Sequence, residues 1–129
     1  MPRVVHFEIH AENPTRAVKF YSELFGWQIT SWGGPMEYWI IKTGEPGAPG
    51  IDGGLVKRRG PSPSGDVPVI GYVCTVDTPN IDEYTTKATK LGAQVVVHKM
   101  PIPGVGWLVY CKDTEGNLFG MMQADANVK

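Results

Sequence analysis

The amino-acid sequence predicts an α+β fold of two tandem βαβββ modules, with both helices on one face of the sheet and the other face free. Three observations carry this expectation. First, Val5-His6-Phe7-Glu8-Ile9 followed by Asn13-Pro14 returns as Ile70-Gly71-Tyr72-Val73-Cys74 followed by Thr78-Pro79, at an offset of 65 residues. Second, Gly26, Gly50 and Gly54 recur as Gly92, Gly116 and Gly120 at an offset of 66. A self-repeat of this length fixes architecture before local propensity does. Third, each copy runs from a strand through a proline-started helix to a glycine stop and then three strand-like segments. One helix per four strands places both helices on one side of the sheet and leaves the other side for chemistry.

Each element has a local cause. Residues 3–10 alternate Val4, His6, Glu8 and His10 against Val5, Phe7 and Ile9, the period of a half-buried strand. Asn13 caps a helix that starts at Pro14, where a missing N–H costs nothing. Ala17, Phe20, Tyr21, Leu24 and Phe25 form its apolar stripe, with Leu24 expected in the core, and Gly26 ends it. Strands follow near 26–31, 36–42 and 51–57, the last two separated by the Gly44–Gly50 loop. Gly60-Pro61-Ser62-Pro63-Ser64-Gly65 is linker-like. One domain over 1–129 is therefore expected, with module one at about 3–59, a linker at about 60–66 and module two at about 67–124. In module two Pro79 is expected in the first helical turn, Ile81, Tyr84, Ala88 and Leu91 in the stripe, and Gly92 at the stop. Strands near 95–98, 107–111 and 118–123 complete it.

Composition narrows the function classes. A chain of 129 residues, 42% apolar and 19% charged, is an ordinary globular domain. Its net charge of −1 gives no electrostatic reason to expect nucleic acid, and Lys57-Arg58-Arg59 reads as a solvated strand end. Met1-Pro2-Arg3 leads directly into a strand, with no apolar stretch suited to a signal peptide or a membrane span, so a cytoplasmic protein is expected. Cys74 and Cys111 lack disulfide-framework and metal-motif spacing and read as small hydrophobes in strands. No nucleophile motif, phosphate loop or dinucleotide fingerprint is present.

The segment His6-Phe7-Glu8-Ile9, then Asn13-Pro14-x-Arg16-Ala17-Val18-x-Phe20-Tyr21-x-x-Leu24-Phe25-Gly26-Trp27, resembles the opening of the vicinal oxygen chelate superfamily. That group includes glyoxalase I, extradiol dioxygenases and bleomycin-resistance proteins, and the resemblance implies that the two modules form a curved mixed-sheet cup with the helices on its outer face. Ile102-Pro103-Gly104-Val105-Gly106 and Asp113-Thr114-Glu115-Gly116-Asn117-Leu118-Phe119-Gly120 resemble the closing strands of its glyoxalase-like branch. The resemblance implies one metal ligand on the first and last strand of each module, positions that fall at His6, Gly54, Gly71 and Gly120. Three of the four are glycine and have no donor atom, whereas a divalent site needs three or four ligands. A degenerate site with no cofactor is expected, and no glyoxalase I turnover. The alternative is a rebuilt divalent-metal site from His6, Glu8 and Asp52, since Glu8 shares a strand face with His6 and Asp52 with Gly54.

The expected function is binding or sequestering a small organic ligand in the cup, by His6, Glu8, Gly54, Gly71, Trp107, Gly120 and Met122. The alternative is a lyase or isomerase with His6 and Glu8 as catalytic acid–base groups. A mid-strand Glu8 is the demanding feature, because a buried carboxylate needs water or a dedicated partner. It would orient a ring nitrogen of His6 or hold it protonated near neutrality, while His10 caps or bridges a loop. Gly54, Gly71 and Gly120 either widen the cup or relax a curved backbone. Tyr38 and Trp39 are adjacent, so one faces the cup and the sequence leaves open which. Met121 and Met122 likewise divide between core and cup. Open sheet edges predict a homodimer.

Overall fold

The computed structural model describes residues 1–60 and 71–129. From Pro61 onward, the expected linker and the start of module two near residue 67 lie outside the described residues. Two compact units form, His6–Tyr72 and Val73–Lys129, the latter together with Met1–Val5.

The first βαβββ module is built from β1 (Arg3–Ala11), α1 (Pro14–Phe25), β2 (Gln28–Ser31), β3 (Tyr38–Lys42) and β4 (Gly53–Lys57). Its strands lie in the order β2-β3-β4-β1. β4 runs parallel to β1 and antiparallel to β3, which pairs antiparallel with β2. The register puts Glu8 beside Gly54, and Gly54 beside Ile40. Strand alternation then assigns Phe7, Ile9, Trp39, Ile41 and Leu55 to one face and His6, Glu8, His10, Tyr38 and Gly54 to the other. Ala17, Val18 and Tyr21 of α1 pack on the first face, over Phe7, Ile9, Ile41 and Leu55. Ile41 and Leu55 are fully buried, each side chain contributing about 1.5–3 kcal/mol by leaving water. The Asn13 side chain accepts from the Arg16 N–H at 3.1 Å. Gly26 ends the helix at φ 71°, a left-handed conformation that glycine adopts without steric cost.

The second unit repeats the plan with β5 (Val73–Asp77), α2 (Ile81–Lys90), β6 (Gln94–Ile102), β7 (Gly106–Lys112) and β8 (Leu118–Ala124). Its strand order is β5-β8-β7-β6, with β5 parallel to β8 and the other pairs antiparallel. Ile81, Val109, Cys111 and Met121 form its core, with Tyr84 and Ala88 of α2 packed on it. Both halves are βαβββ units with mixed sheets, and the chain has the expected α+β class.

Several expectations change. Leu24 is 57% exposed, and Phe20, Phe25 and Leu91 are also exposed. The apolar stripe of α1 is wider than the sheet face it meets, so only Ala17, Val18 and Tyr21 reach the core. Pro79 precedes α2 instead of opening it. Asn80, one residue later, is the cap, its side chain accepting from the Glu83 N–H at 3.0 Å. Cys111 is buried as expected, but Cys74 is exposed. Among the described residues, no helix is long and apolar enough to cross a membrane.

Candidate functional site

β1 delivers three polar side chains to the sheet face turned away from α1, because positions 6, 8 and 10 alternate with the core residues Phe7, Ile9 and Ala11. Their partners differ from those the sequence suggested. The His10 Nε2–H donates to Oε1 of Glu8 at 2.8 Å, and Glu8 is buried. The Arg58 guanidinium donates to the His10 carbonyl at 2.8 Å. This half-buried cation steadies the strand that carries the pair, so the Lys57–Arg59 run is more than a solvated end. A buried carboxylate with its own histidine meets the requirement that burial imposes on a charge.

His6 has a different partner. Its Nε2 lies 3.0 Å from the Tyr38 hydroxyl. Burial is the main cause that pulls the His6 pKa below its ordinary 6.5, against the Glu8 and Asp52 carboxylates, which raise it. Burial, then the Glu8 charge, pushes the Tyr38 phenol well above the ordinary tyrosine range. Both groups are therefore neutral near pH 7, and the contact is a neutral hydrogen bond rather than an ion pair.

Gly54 explains why Tyr38 fits there. A Cβ placed on Gly54 would fall on the Tyr38 hydroxyl and ring carbons. The expectation that Gly54 leaves room for a ligand is thus corrected: the missing side chain makes room for Tyr38. Of the adjacent aromatics, Tyr38 takes the His6 face and Trp39 packs on the core. Gly120 is covered as well, since a Cβ there would stand 2.9 Å from Thr75 Oγ1 and 3.4 Å from the Tyr110 ring. Gly71 precedes β5, and a Cβ on it would meet nothing within 4 Å. Trp107 packs against the Ile81–Val109–Cys111–Met121 core with Lys99 Nζ 5.0 Å from its ring centre, so it is a helix-side residue and not a ligand wall. Met121 is in that core, and Met122 shares the opposite face with Gly120.

Sequence reading missed Tyr38 as the partner of His6 and His10 as the partner of Glu8. Both left a signal. Positions 8 and 10 are two apart on one strand, and a glycine in mid-strand often marks a bulky neighbour above it.

The donors present do not fit the divalent metal implied by the resemblance. His6 Nε2 faces a phenol, Glu8 holds His10, and Asp52 Oδ1 accepts from the Thr43 N–H at 2.8 Å and its hydroxyl at 3.2 Å. Among the described residues, no three His, Cys, Asp or Glu side chains form a group able to hold a metal ion.

The profile of the Glyoxalase/Bleomycin resistance protein/Dioxygenase superfamily matches residues 3–121, and the chain belongs to that superfamily. No curated protein sequence matches it. Among solved structures, a hypothetical protein from Bacillus halodurans C-125 is similar at 12% identity and a TM-score of 0.68, over 99% of this chain and 98% of that one. Methylmalonyl-CoA epimerase from Mycobacterium tuberculosis is similar at 12% identity and a TM-score of 0.66, over 95% and 87%. A variant of the Streptomyces coelicolor methylmalonyl-CoA epimerase, in complex with 2-nitronate-propionyl-CoA, has 15% identity and a TM-score of 0.63, over 98% and 97%. At these identities the likeness is one of fold.

Proposed function

We propose that this member of the glyoxalase/bleomycin resistance/dioxygenase superfamily binds a small organic ligand without a divalent metal, on the β1–β4 sheet face that carries His6, Glu8 and Tyr38. The observation that carries this reading is the polar strand face itself. A buried carboxylate, two histidines and a phenol stand where the sheet turns away from its helix, and they pair with one another instead of grouping as metal donors. Such a face offers hydrogen-bond donors and acceptors of the kind that fix a small molecule's orientation. Gly71, open to space at its Cα, belongs to the same proposal. A fragment panel of small acids, phenols and acyl thioesters, followed by amide chemical shifts, tests it. Ligands should move the β1 signals around His6 and Glu8, and His6→Ala with Glu8→Gln should abolish the response. Hits that leave β1 unmoved would refute the reading.

A second reading, a lyase or isomerase with His6 and Glu8 as acid–base groups, draws support from the epimerases among the structural neighbours. It predicts solvent deuterium entering methylmalonyl-CoA when the protein is added, lost in His6→Ala. An exchange rate equal to that of a heat-killed control would remove it. The proposal also keeps the cytoplasmic location and the homodimer. The exposed Phe20, Leu24 and Phe25 of α1 favour a dimer, and light scattering giving a monomer mass at micromolar concentration would count against it.

A further inference from the structure

The phenol of Tyr38 is the polar partner of His6 and fills the space over Gly54. Its hydroxyl is 3.0 Å from His6 Nε2, and its ring lies where a side chain at position 54 would otherwise be. The edge of Trp32 closes the other side of the ring, with centroids 6.1 Å apart at 76°. Tyr38 is the first residue of β3, after a turn that contains Gly33 at φ 75° and Gly34. The Trp32 N–H donates to the Tyr38 carbonyl at 2.8 Å, which fixes the backbone while leaving the side chain anchored by a single hydrogen bond. A half-buried ring at a strand start, held by one neutral hydrogen bond and its contact with the Trp32 ring, can change rotamer when a competing group takes over both contacts.

We propose that Tyr38 is the specificity-determining residue of the site, a built-in occupant that any ligand must displace. It admits ligands that bring a planar, ring-sized apolar body and a hydroxyl or equivalent group to satisfy His6. Molecules without a hydrogen-bonding group, or without a planar body, would leave either the imidazole or the Gly54 floor without a partner and compete poorly with the residue already there. This inference rests on the binding reading above, because it assigns Tyr38 a role at that same site.

Phenol and benzene serve as probes, with binding followed by thermal shift and by His6 ring signals. Tyr38→Ala should open a ring-sized space, and apolar cavities of that size take up aromatic molecules. Phenol should bind Tyr38→Ala about tenfold or more tightly than it binds the wild type, and more tightly than benzene, a difference of the size expected from one added hydrogen bond. In Tyr38→Ala/His6→Ala the preference for phenol over benzene should vanish. Equal phenol binding by the wild type and Tyr38→Ala would show that Tyr38 blocks nothing and overturn the proposal. Absence of phenol binding to folded Tyr38→Ala would overturn it too.

Should Tyr38→Ala not fold, Gly54→Ala supplies the converse test, since its methyl must push the ring aside. Diethyl pyrocarbonate should then modify His6 about tenfold faster than in the wild type, and an unchanged rate would contradict the proposal. If the phenol pattern appears but the fragment panel gives no ligand on the wild-type β1 face, the built-in occupant stands and the ligand-binding reading fails. If the panel succeeds and phenol binds both proteins alike, the reverse holds.

Discussion

The two halves of the chain share an architecture and differ in chemistry. Each is a βαβββ unit with one helix on one sheet face and a core of aliphatic side chains under it. At offset 65, however, His6, Glu8 and His10 of the first strand become Gly71, Val73 and Thr75. The glycines at equivalent positions on the last strands, Gly54 and Gly120, are both covered by a neighbour, the first by Tyr38 and the second by Thr75 and Tyr110. In the first half the covering group is a phenol that also binds a histidine. In the second the equivalent place is filled by packing without a histidine. Duplication thus preserved what folds the module, and the face carrying His6, Glu8 and His10 is a property of one copy only.

The comparison should survive emptying each core in turn. Leu55→Ala and Ile81→Ala remove side chains that are at most 1% exposed, and each should cost about 2–5 kcal/mol in denaturant melts because the cavity relaxes only partly. Costs below about 1 kcal/mol in one half would mean that its core is not the one described.

The paired glycines give a sharper contrast. Gly54→Ala places a methyl on the Tyr38 ring and should cost about 1–3 kcal/mol, as overpacking usually does. Gly120→Ala brings a methyl to 2.9 Å from the Oγ1 of buried Thr75, a milder clash than that on Tyr38, and should cost about 1 kcal/mol and less than Gly54→Ala. Gly71→Ala, with open space around it, should stay within about 0.5 kcal/mol. A reversed order of Gly54 and Gly120 in urea titrations would break the proposed asymmetry.

His6 gives the first half a pH dependence of its own. Its folded pKa lies below the ordinary 6.5 because it is buried. On acidification the unfolded chain takes up the proton before the folded one does. The His6 contribution to stability is therefore complete above about pH 6.5 and is lost as pH falls from there through the folded value. The difference between wild type and His6→Gln, followed by melting from pH 7.5 down to pH 4.5, should grow as the pH rises across that window. A difference that grew on acidification would require a raised pKa. The smallest effect belongs to Leu24→Ala on exposed α1, about 0.5 kcal/mol or less in the isolated chain. A loss above about 2 kcal/mol would place Leu24 in a core.

Much of the fold was legible because it is written in periodicities. The alternation across β1, the Asn13-Pro14 start and Gly26 stop of α1, and the repeated strand positions all depend on backbone geometry that few residues dictate. Leu24 and Leu91 were misplaced because spacing fixes which residues share a helix face, but not how wide a sheet covers it. Pro79 was misplaced because Asn80 offers a better cap one residue later. The site was less legible. Parity on β1 identified His6 and Glu8 as sharing a face, yet three polar side chains two residues apart can pair in more than one way, and rotamers decide. Tyr38 reaches Gly54 across the β3–β4 ladder, a distance in sequence that no local pattern encodes. Trp107 was expected among the ligand-binding residues, whereas strand phase, shared with Val109 and Cys111, turns it toward the core under α2.

The central claim is that a histidine–phenol contact stands where the superfamily resemblance implies a metal ligand set. Calorimetric titration of the purified, chelator-treated protein with zinc and with nickel tests it most directly, with His6→Ala in parallel. The account predicts no one-to-one site in the wild type and heats that match those of His6→Ala. A stoichiometric, micromolar or tighter site that disappears in His6→Ala would contradict it.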